Sequence, residues 1–406
     1  MSSASPPIII IGAGPVGLTL ALYLAQHDVR SVVIEQFDEQ AFSEQDPRAG
    51  SIHPATLEML DSLGLYTRME KRGLIAPTFQ YWDRQTGQMF AEFDHAVLKN
   101  DTKFPYVLQC ERTKMIDEAM QMLRGYSLCD IRMSTVFEAF TQDAKGVTAT
   151  VTNAAGEKQD IRGAFIVSCE GGRSIVRKTL DIEFEGYTYP ERTLTVAVVY
   201  DFDKHHGYSY RNYISDPGQW SNLFKWTQPD RWRVHFPTHI DDDPDKILGD
   251  AYIEDQLQRF LPNSKNFEVV HRTLYTVHQR VAASFRTGRA ILAGDAAHIN
   301  SPIGGMGLNS GVHDAMNLGE KLTHILTGQD AQDTLDRYTR QRRHVAVNHT
   351  KAQTERNKRV LMETDPAVRK QNHDNLRRNC SDTTLMREYL LRTSLMNSVR
   401  EAAAIE

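Results

Sequence analysis

Two short runs near opposite ends of the chain carry residues suited to holding phosphates and sugar hydroxyls. The first is Gly12-Ala13-Gly14-Pro15-Val16-Gly17, directly after Ile8-Ile9-Ile10-Ile11. The second is Gly294-Asp295, which continues through His298 to Pro302 and then Gly304, Gly305, Gly307, Leu308 and Asn309. Where a buried strand turns into a helix, the first glycine of such a run permits the tight turn. The second lets a pyrophosphate approach the backbone, and the third lets helix and strand pack closely. The helix starting at Pro15 and Val16 then offers unbonded N–H groups and a partial positive charge to phosphates. Glu35, with Gln36 beside it, ends the next strand where a carboxylate accepts hydrogen bonds from ribose hydroxyls. The plain alternative is an ordinary strand-to-helix turn. Two such loops so far apart suit one long ligand, and FAD has that length.

The rest of the chain must bring these loops together. Its 406 residues exceed the usual single-domain size, so two intertwined or sequential domains are expected. Hydrophobic content of 40% and charged content of 24% are those of a soluble globular protein. A net charge of −5 leaves no basic footprint for nucleic acid, and Arg340-Gln341-Arg342-Arg343 reads as a solvated helix face. Cys110, Cys129, Cys169 and Cys380 have neither paired nor metal-ligand spacing. They read as reduced thiols of a cytoplasmic protein that holds no metal. The N-terminal apolar run is too short to span a bilayer and has no basic stretch before it, so no membrane insertion is expected.

The fold class is α/β with mixed α+β character: a Rossmann-like FAD-binding domain, an inserted antiparallel substrate sheet and C-terminal helices. Residues 1–75, 100–186 and 279–330 are expected to form the FAD-binding domain. The Tyr- and Trp-rich stretch 187–278 forms the inserted sheet, which the 76–99 hairpin joins, and 331–406 is helical. Expected elements include one strand over 161–167 and one acidic helix near 245–260.

With these motifs in place, the chain resembles the class A FAD-dependent aromatic hydroxylases, the family of p-hydroxybenzoate hydroxylase. The likeness rests on Gly12 to Gly17, on Arg48-Ala49-Gly50 with Gln109, and on Gly294-Asp295. It covers the nucleotide-binding parts and not the inserted sheet. The resemblance implies that Asp295 binds ribityl or ribose hydroxyls, and that Arg48 and Gln109 lie along the pyrophosphate and ribityl chain, with Arg112 following in the same segment. It implies too that the Pro302 carbonyl faces the substrate hydroxyl and that N–H groups near Leu308 and Asn309 meet the flavin. Gly305 and Gly307 leave that helix start open, and such an N-terminus would stabilise negative charge on the reduced ring. Arg48 also reads as a surface arginine after a turn. His298 resembles a position that is structural in the family. Glu170-Gly171 stands where the family has Asp-Gly; Glu170 either reaches a polar partner or sits in the loop, and Arg173 and Arg177 either meet donor phosphates or cap a helix start.

The implied reaction is hydroxylation of a small phenolic ring. NADH or NADPH reduces the flavin transiently, O2 adds to give a C4a-hydroperoxide, and one oxygen atom passes to the ring. No counterpart of the thioredoxin-like domain of phenol-hydroxylase-type relatives is evident, which sets the expectation of a compact enzyme for a small substrate. A homodimer is left open. The inserted sheet offers Tyr210, Arg211, Tyr213, Asn222, Trp226, Arg233 and His235. Arg233 and His235, two apart on one strand, share a face, and either would anchor an anionic or phenolic substrate. Arg233 reads as the partner of a carboxylate, and His235 as an acceptor of the phenolic proton near neutral pH. The competing reading places both on a solvated sheet face. Rival functions are a related halogenase or reductase, and a flavin-free binding protein on this fold. Trp226 and Trp232 do not make the halogenase W-x-W-x-I-P pattern, and the intact glycines with Glu35 and Asp295 favour retained FAD.

Overall fold

The computed structural model describes residues 6–43, 50–228, 230–262 and 267–406. The strand Ile8–Ile11 is buried along its whole length. Four consecutive isoleucines suit the middle of a parallel sheet covered on both faces. Among the described residues it lies fourth in a six-stranded sheet: Arg286–Thr287, Ala290–Leu292, Phe165–Ser168, Ile8–Ile11, Ser31–Ile34 and Cys129–Arg132. Helix Pro15–Gln26 follows the first glycine loop, and helix Met306–Leu326 follows the second. These two helices pack together because small residues line the contact. A methyl group at Gly311 would come within 2.6 Å of Val16, and one at Gly319 within 2.6 Å of Tyr23. The contact sets the Gly294 loop against the Gly12 loop.

A second sheet has, among the described residues, eight strands. In order they are His298–Ile299, Glu268–Ala282, Phe184–Val199, Arg231–His239, Ser221–Lys225, Arg211–Ser215, Thr78–Asp83 and Gln88–Asp94. Pairing is antiparallel except between Arg211–Ser215 and Thr78–Asp83, which run parallel. Its long strands begin at Phe184 and end at Ala282, beyond the span 187–278 read from sequence. Side-chain alternation divides its faces. Leu194, Val196 and Val198 pack with Trp232, Val234 and Phe236 into a core closed by helix Asp250–Phe260. The residues between them, including Thr195, Arg233 and His235, face the other way.

Two expected elements divide. The strand read over 161–167 is two, Lys158–Gly163 and Phe165–Ser168, in different sheets. Ala164 marks the crossing, where its N–H donates to the Pro7 carbonyl. The acidic helix near 245–260 is Pro244–Ile247 followed by Asp250–Phe260, separated at Gly249, the N-cap of the second. Beyond Leu326 the chain is helical to Ala403, with a wide π-helical turn at Ala346–Lys351. Among the described residues, no helix is long and apolar enough to cross a membrane.

Candidate functional site

One cavity of about 800 Å³ runs between the two sheets. It is lined at one end by Gly12, Gly14, Pro15, Val16, Glu35 and Gln36, and along its length by Arg112, Asp295 and the loop from Pro302 to Leu308. Arg233 and His235 close the other end. Segments far apart in sequence thus converge on a single elongated space. Gly17, Gln109 and Asn309 stand just behind its wall, and Arg48 lies outside the described residues.

The glycine loop is held by its own crowding. Gly12 has φ +103°, open to glycine, and a Cβ there would lie 2.5 Å from the Cys169 carbonyl oxygen. A Cβ at Gly17 would lie 2.0 Å from the Gly12 oxygen, so Gly17 serves helix packing. Gly14 is different: a Cβ there meets nothing within 4 Å, because it projects into the cavity. The buried Glu35 carboxylate accepts from the Ala13 N–H at 2.9 Å and the Phe37 N–H at 3.1 Å. It ties the loop to the next strand and keeps lone-pair capacity for a further donor.

The second loop is anchored from beneath by a buried ion cluster that the sequence did not single out. Asp314 accepts from Arg342 Nε at 2.6 Å and the Gly294 N–H at 2.9 Å, and meets His298 Nε2 at 2.7 Å. Burial alone would push the Asp314 carboxyl up, but the facing His298 and Arg342 outweigh it and hold it down to about 2. His298 is therefore structural. We expect Asp314→Asn to cost about 3–5 kcal/mol, since it strands a buried arginine, and urea unfolding measures this. An unfolding midpoint equal to wild type would remove the cluster from the account.

Farther along, Gly305 is the N-cap of Met306–Leu326, with φ +69° and no side-chain cap. Gly307 and Leu308 line the cavity in its first turn, so N–H groups of that turn sit at the cavity wall. Asn309 acts through its side chain: Nδ2 donates to the carbonyls of Ser51 at 2.7 Å and Gly305 at 2.6 Å, and Oδ1 accepts from the His53 N–H at 2.9 Å. His53 Nε2 donates to the Gly304 carbonyl at 2.8 Å. Gln109 accepts from Ser51 Oγ at 2.6 Å, while its buried Nε2 has no partner among the described residues.

The third motif serves its own loop. Glu170 accepts from Ser168 Oγ, Ser174 Oγ and the N–H groups of Ile175 and Val176, at 2.6–3.2 Å, and so caps the short helix Ile175–Thr179. The extra methylene relative to aspartate lets it span that turn. Arg177 is buried, donating to the carbonyls of Ala296 and Gly172 with its guanidinium 3.8 Å from the Phe184 ring centroid. That corrects the reading in which it meets a donor phosphate. Arg173 is exposed at the cavity lining.

At the sheet end, the solvated-face reading fails for Arg233 and His235, since both line the cavity. Arg233 is 3% exposed, with its guanidinium carbon 4.0 Å from the Trp226 ring centroid, a cation–π contact. Register places His235 opposite Thr195, and Thr195 opposite Thr273. Phe224, Tyr275 and Asn300 complete this end. Thr195, Thr273, Tyr275, Phe224 and Asn300 join the site without having been singled out by any sequence motif. Strand alternation was the signal for the four on strands, but it gives a face and not the neighbouring strand; Asn300 lies in the loop after His298–Ile299 and had no such signal. Burial first, then the Arg233 charge, drive His235 down to about 4, against the pull of the Asn222 carbonyl. This corrects the expected role: His235 is neutral near pH 7 and too weak a base to draw a proton from an ordinary phenol. Tyr213 and Arg211 belong instead to the packing around Tyr81 and Phe79, and Trp226 lies beneath Arg233.

Two further buried histidines make the fold acid-sensitive. Burial, then the charges of Arg211 and Arg342 respectively, push His95 and His313 each down to about 3. Their folded values lie below the unfolded one, so the unfolded chain takes up protons first as pH falls. Their contribution is complete above about pH 6.5 and is lost toward pH 3, at about 1.4 kcal/mol per pH unit for each histidine. The urea midpoint is expected to fall from pH 7 to pH 4, and His313→Gln should flatten that slope. A midpoint independent of pH would contradict it.

The residues present fit a long dinucleotide with two phosphates and a polar ring system. Gly14 leaves space for a phosphate, Glu35 and Asp295 are acids for hydroxyls, and an uncapped helix start meets the far end. Comparison with known proteins agrees. The sequence family described as "FAD binding domain" matches residues 6–353. Para-nitrophenol 4-monooxygenase of Pseudomonas sp. (strain WBC-3) is 34% identical over 400 residues, 97% of this chain and 96% of that protein. A 6-hydroxy-3-succinoylpyridine 3-monooxygenase of Pseudomonas putida is 30% identical, over 94% of this chain and 96% of that one. The crystal structure of a p-nitrophenol 4-monooxygenase from Pseudomonas putida superposes with a TM-score of 0.90 at 34% identity, covering 95% of this chain and 97% of that one.

Proposed function

The chain belongs to the FAD-binding domain family, and on that premise we propose that it is a monooxygenase which hydroxylates small, acidic phenols using FAD, NADH or NADPH, and O2. The observation that carries this reading is the single cavity joining the Gly14 and Glu35 end to Arg233 and His235. When bound, FAD supplies the redox chemistry, accepting electrons from the nicotinamide and activating O2. The protein's part is binding, orientation and charge. Gly12 and Gly14, with the N-terminus of Pro15–Gln26, would hold the pyrophosphate, Glu35 and Asp295 would take hydroxyls, and the start of Met306–Leu326 would face the ring.

At the substrate end, Arg233 is a permanent cation on a buried sheet face. A phenolate or another anionic ring substituent is stabilised there, and in a dry site such an interaction is stronger than in water. His235, neutral near pH 7, acts as a hydrogen-bonding wall to the ring and not as the base. The site therefore suits a phenol acidic enough to arrive ionised, as nitro-substituted phenols do, and the relative named for para-nitrophenol is in keeping with that. Pro302 lines the same cavity; its carbonyl, which accepts from the Gly305 N–H at 3.0 Å, would accept a second hydrogen bond only from a substrate that keeps a ring hydroxyl proton. Exposed Arg173 at the cavity lining is a candidate contact for the phosphates of the nicotinamide donor. Unpaired thiols at Cys110, Cys129, Cys169 and Cys380 fit a cytoplasmic setting.

A panel of phenols of graded acidity tests the reading. The purified yellow protein should consume NADH or NADPH fastest with nitro- or halophenols and place oxygen from labelled O2 in the product. Oxygen derived from water, or a preference for weakly acidic alkylphenols, would defeat it.

A further inference from the structure

His344, His349 and Glu401 each present a ligand atom, and these atoms all lie within 4.8 Å of one another, away from the cavity. Their meeting depends on an irregularity of the backbone. His344 ends the helix Thr334–Val345, and His349 lies five residues on, inside the π-helical turn Ala346–Lys351. In a regular α-helix, five residues at about 100° each would set the two rings about 140° apart around the axis. The wider i→i+5 turn returns them to one side, with ring centroids 5.9 Å apart. Glu401 comes from the last helix, Met396–Ala403. That helix's far end is fixed by donation from Arg337 Nε and Gln341 Nε2 to the Ile405 carbonyl, at 3.0 and 2.8 Å.

We infer that His344, His349 and Glu401 form a Zn²⁺-type cation site that clamps the last helix to the π-helical turn. The spacing is suitable. Tetrahedral zinc with bonds of about 2.0–2.1 Å to nitrogen and oxygen separates its ligand atoms by about 3.3 Å. Glu401 Oε2 lies 2.8 Å from His349 Nε2 and 3.7 Å from His344 Nε2, on either side of that value. Two imidazoles and a carboxylate are a zinc ligand set; the same set also takes other borderline divalent cations such as Fe²⁺, Ni²⁺ and Cu²⁺, and it disfavours Ca²⁺ and Mg²⁺. Asn348 Nδ2 lies 3.0 Å from His344 Nδ1, and turning that amide over lets its oxygen accept the Nδ1 proton when Nε2 takes the metal. Side-chain exposures of 37% at His344 and 55% at Glu401 admit the cation and leave the fourth position to water.

The test uses the full-length, FAD-loaded protein, stripped with a chelator and titrated with Zn²⁺ alone at pH 7.5, with calorimetry and thermal unfolding as readouts. Wild type is expected to bind one equivalent and gain a few degrees in Tm. His349→Gln and His344→Gln are each expected to weaken binding by roughly a hundredfold and abolish the Tm gain, at unchanged flavin content. Glu401→Gln should weaken binding as well. Zinc uptake unchanged in all three variants would assign it to the cysteine thiols and overturn the proposal. Absence of uptake by wild type would leave only the His349–Glu401 ion pair and would overturn it equally.

Discussion

A Gly14→Val chain is expected to fold normally and to purify without colour. Gly14 has φ −66° and ψ 176°, an extended conformation that valine adopts without strain. A Cβ there has no atom of the described residues within 4 Å, so nothing described in the fold resists it. The space that valine takes is the part of the cavity where a pyrophosphate would approach the backbone. The expected cost in FAD affinity is about a hundredfold or more, with Tm in the absence of FAD close to that of the wild-type apoprotein. Gly12→Ala makes the contrast. Its Cβ would press to 2.5 Å of the Cys169 oxygen at φ +103°, so the fold suffers together with binding. Flavin absorbance and apoprotein unfolding separate the two. A folded Gly14→Val protein with full flavin content would overturn the placement of the dinucleotide.

The difference between these glycines explains what was legible in the sequence and what was not. The strand–loop–helix run from Ile8 to Gln26, Glu35 and the Asp295 loop could be read because local geometry demands those residue types at those spacings. The convergence of the two loops was readable only as one ligand's requirement; its structural cause is the close approach at Gly311 and Gly319, two glycines of an otherwise ordinary helix. Asp314 was invisible for a related reason, because its partners Gly294, His298 and Arg342 meet only in three dimensions. Alternation put Arg233 and His235 on one face but left open whether that face was wet. The register of Thr195 between His235 and Thr273 decides it, and pairing between strands forty residues apart is set by the whole sheet. Glu170 shows the opposite failure. A motif position that resemblance associates with cofactor contacts is occupied here by a residue whose carboxylate is spent on its own helix start.

Replacing Arg233 with glutamine is expected to lower kcat/KM for an ionised phenol by about ten- to a hundredfold while FAD stays bound. A hydrogen bond to a charged group contributes about 1.5–3 kcal/mol, and glutamine keeps a donor without the charge. The loss should shrink for phenols that remain neutral at the assay pH, because their binding does not draw on the cation. NADH or NADPH oxidation should also become less coupled to hydroxylation, since a ring held loosely misses the geometry for oxygen transfer. A second consequence distinguishes a charge effect from general damage. The Arg233 charge helps hold His235 down to about 4, so its removal should raise the His235 value. A histidine NMR titration of both proteins would detect the rise, and His235→Asn would identify the resonance. If Arg233→Gln raises KM equally for ionised and neutral phenols and leaves the His235 titration in place, the guanidinium only packs on Trp226. In that outcome the preference for acidic phenols would have to arise elsewhere along the cavity. If the two effects appear together, one buried cation both selects an ionised ring and keeps the neighbouring imidazole neutral, so that no second positive charge competes for the phenolate.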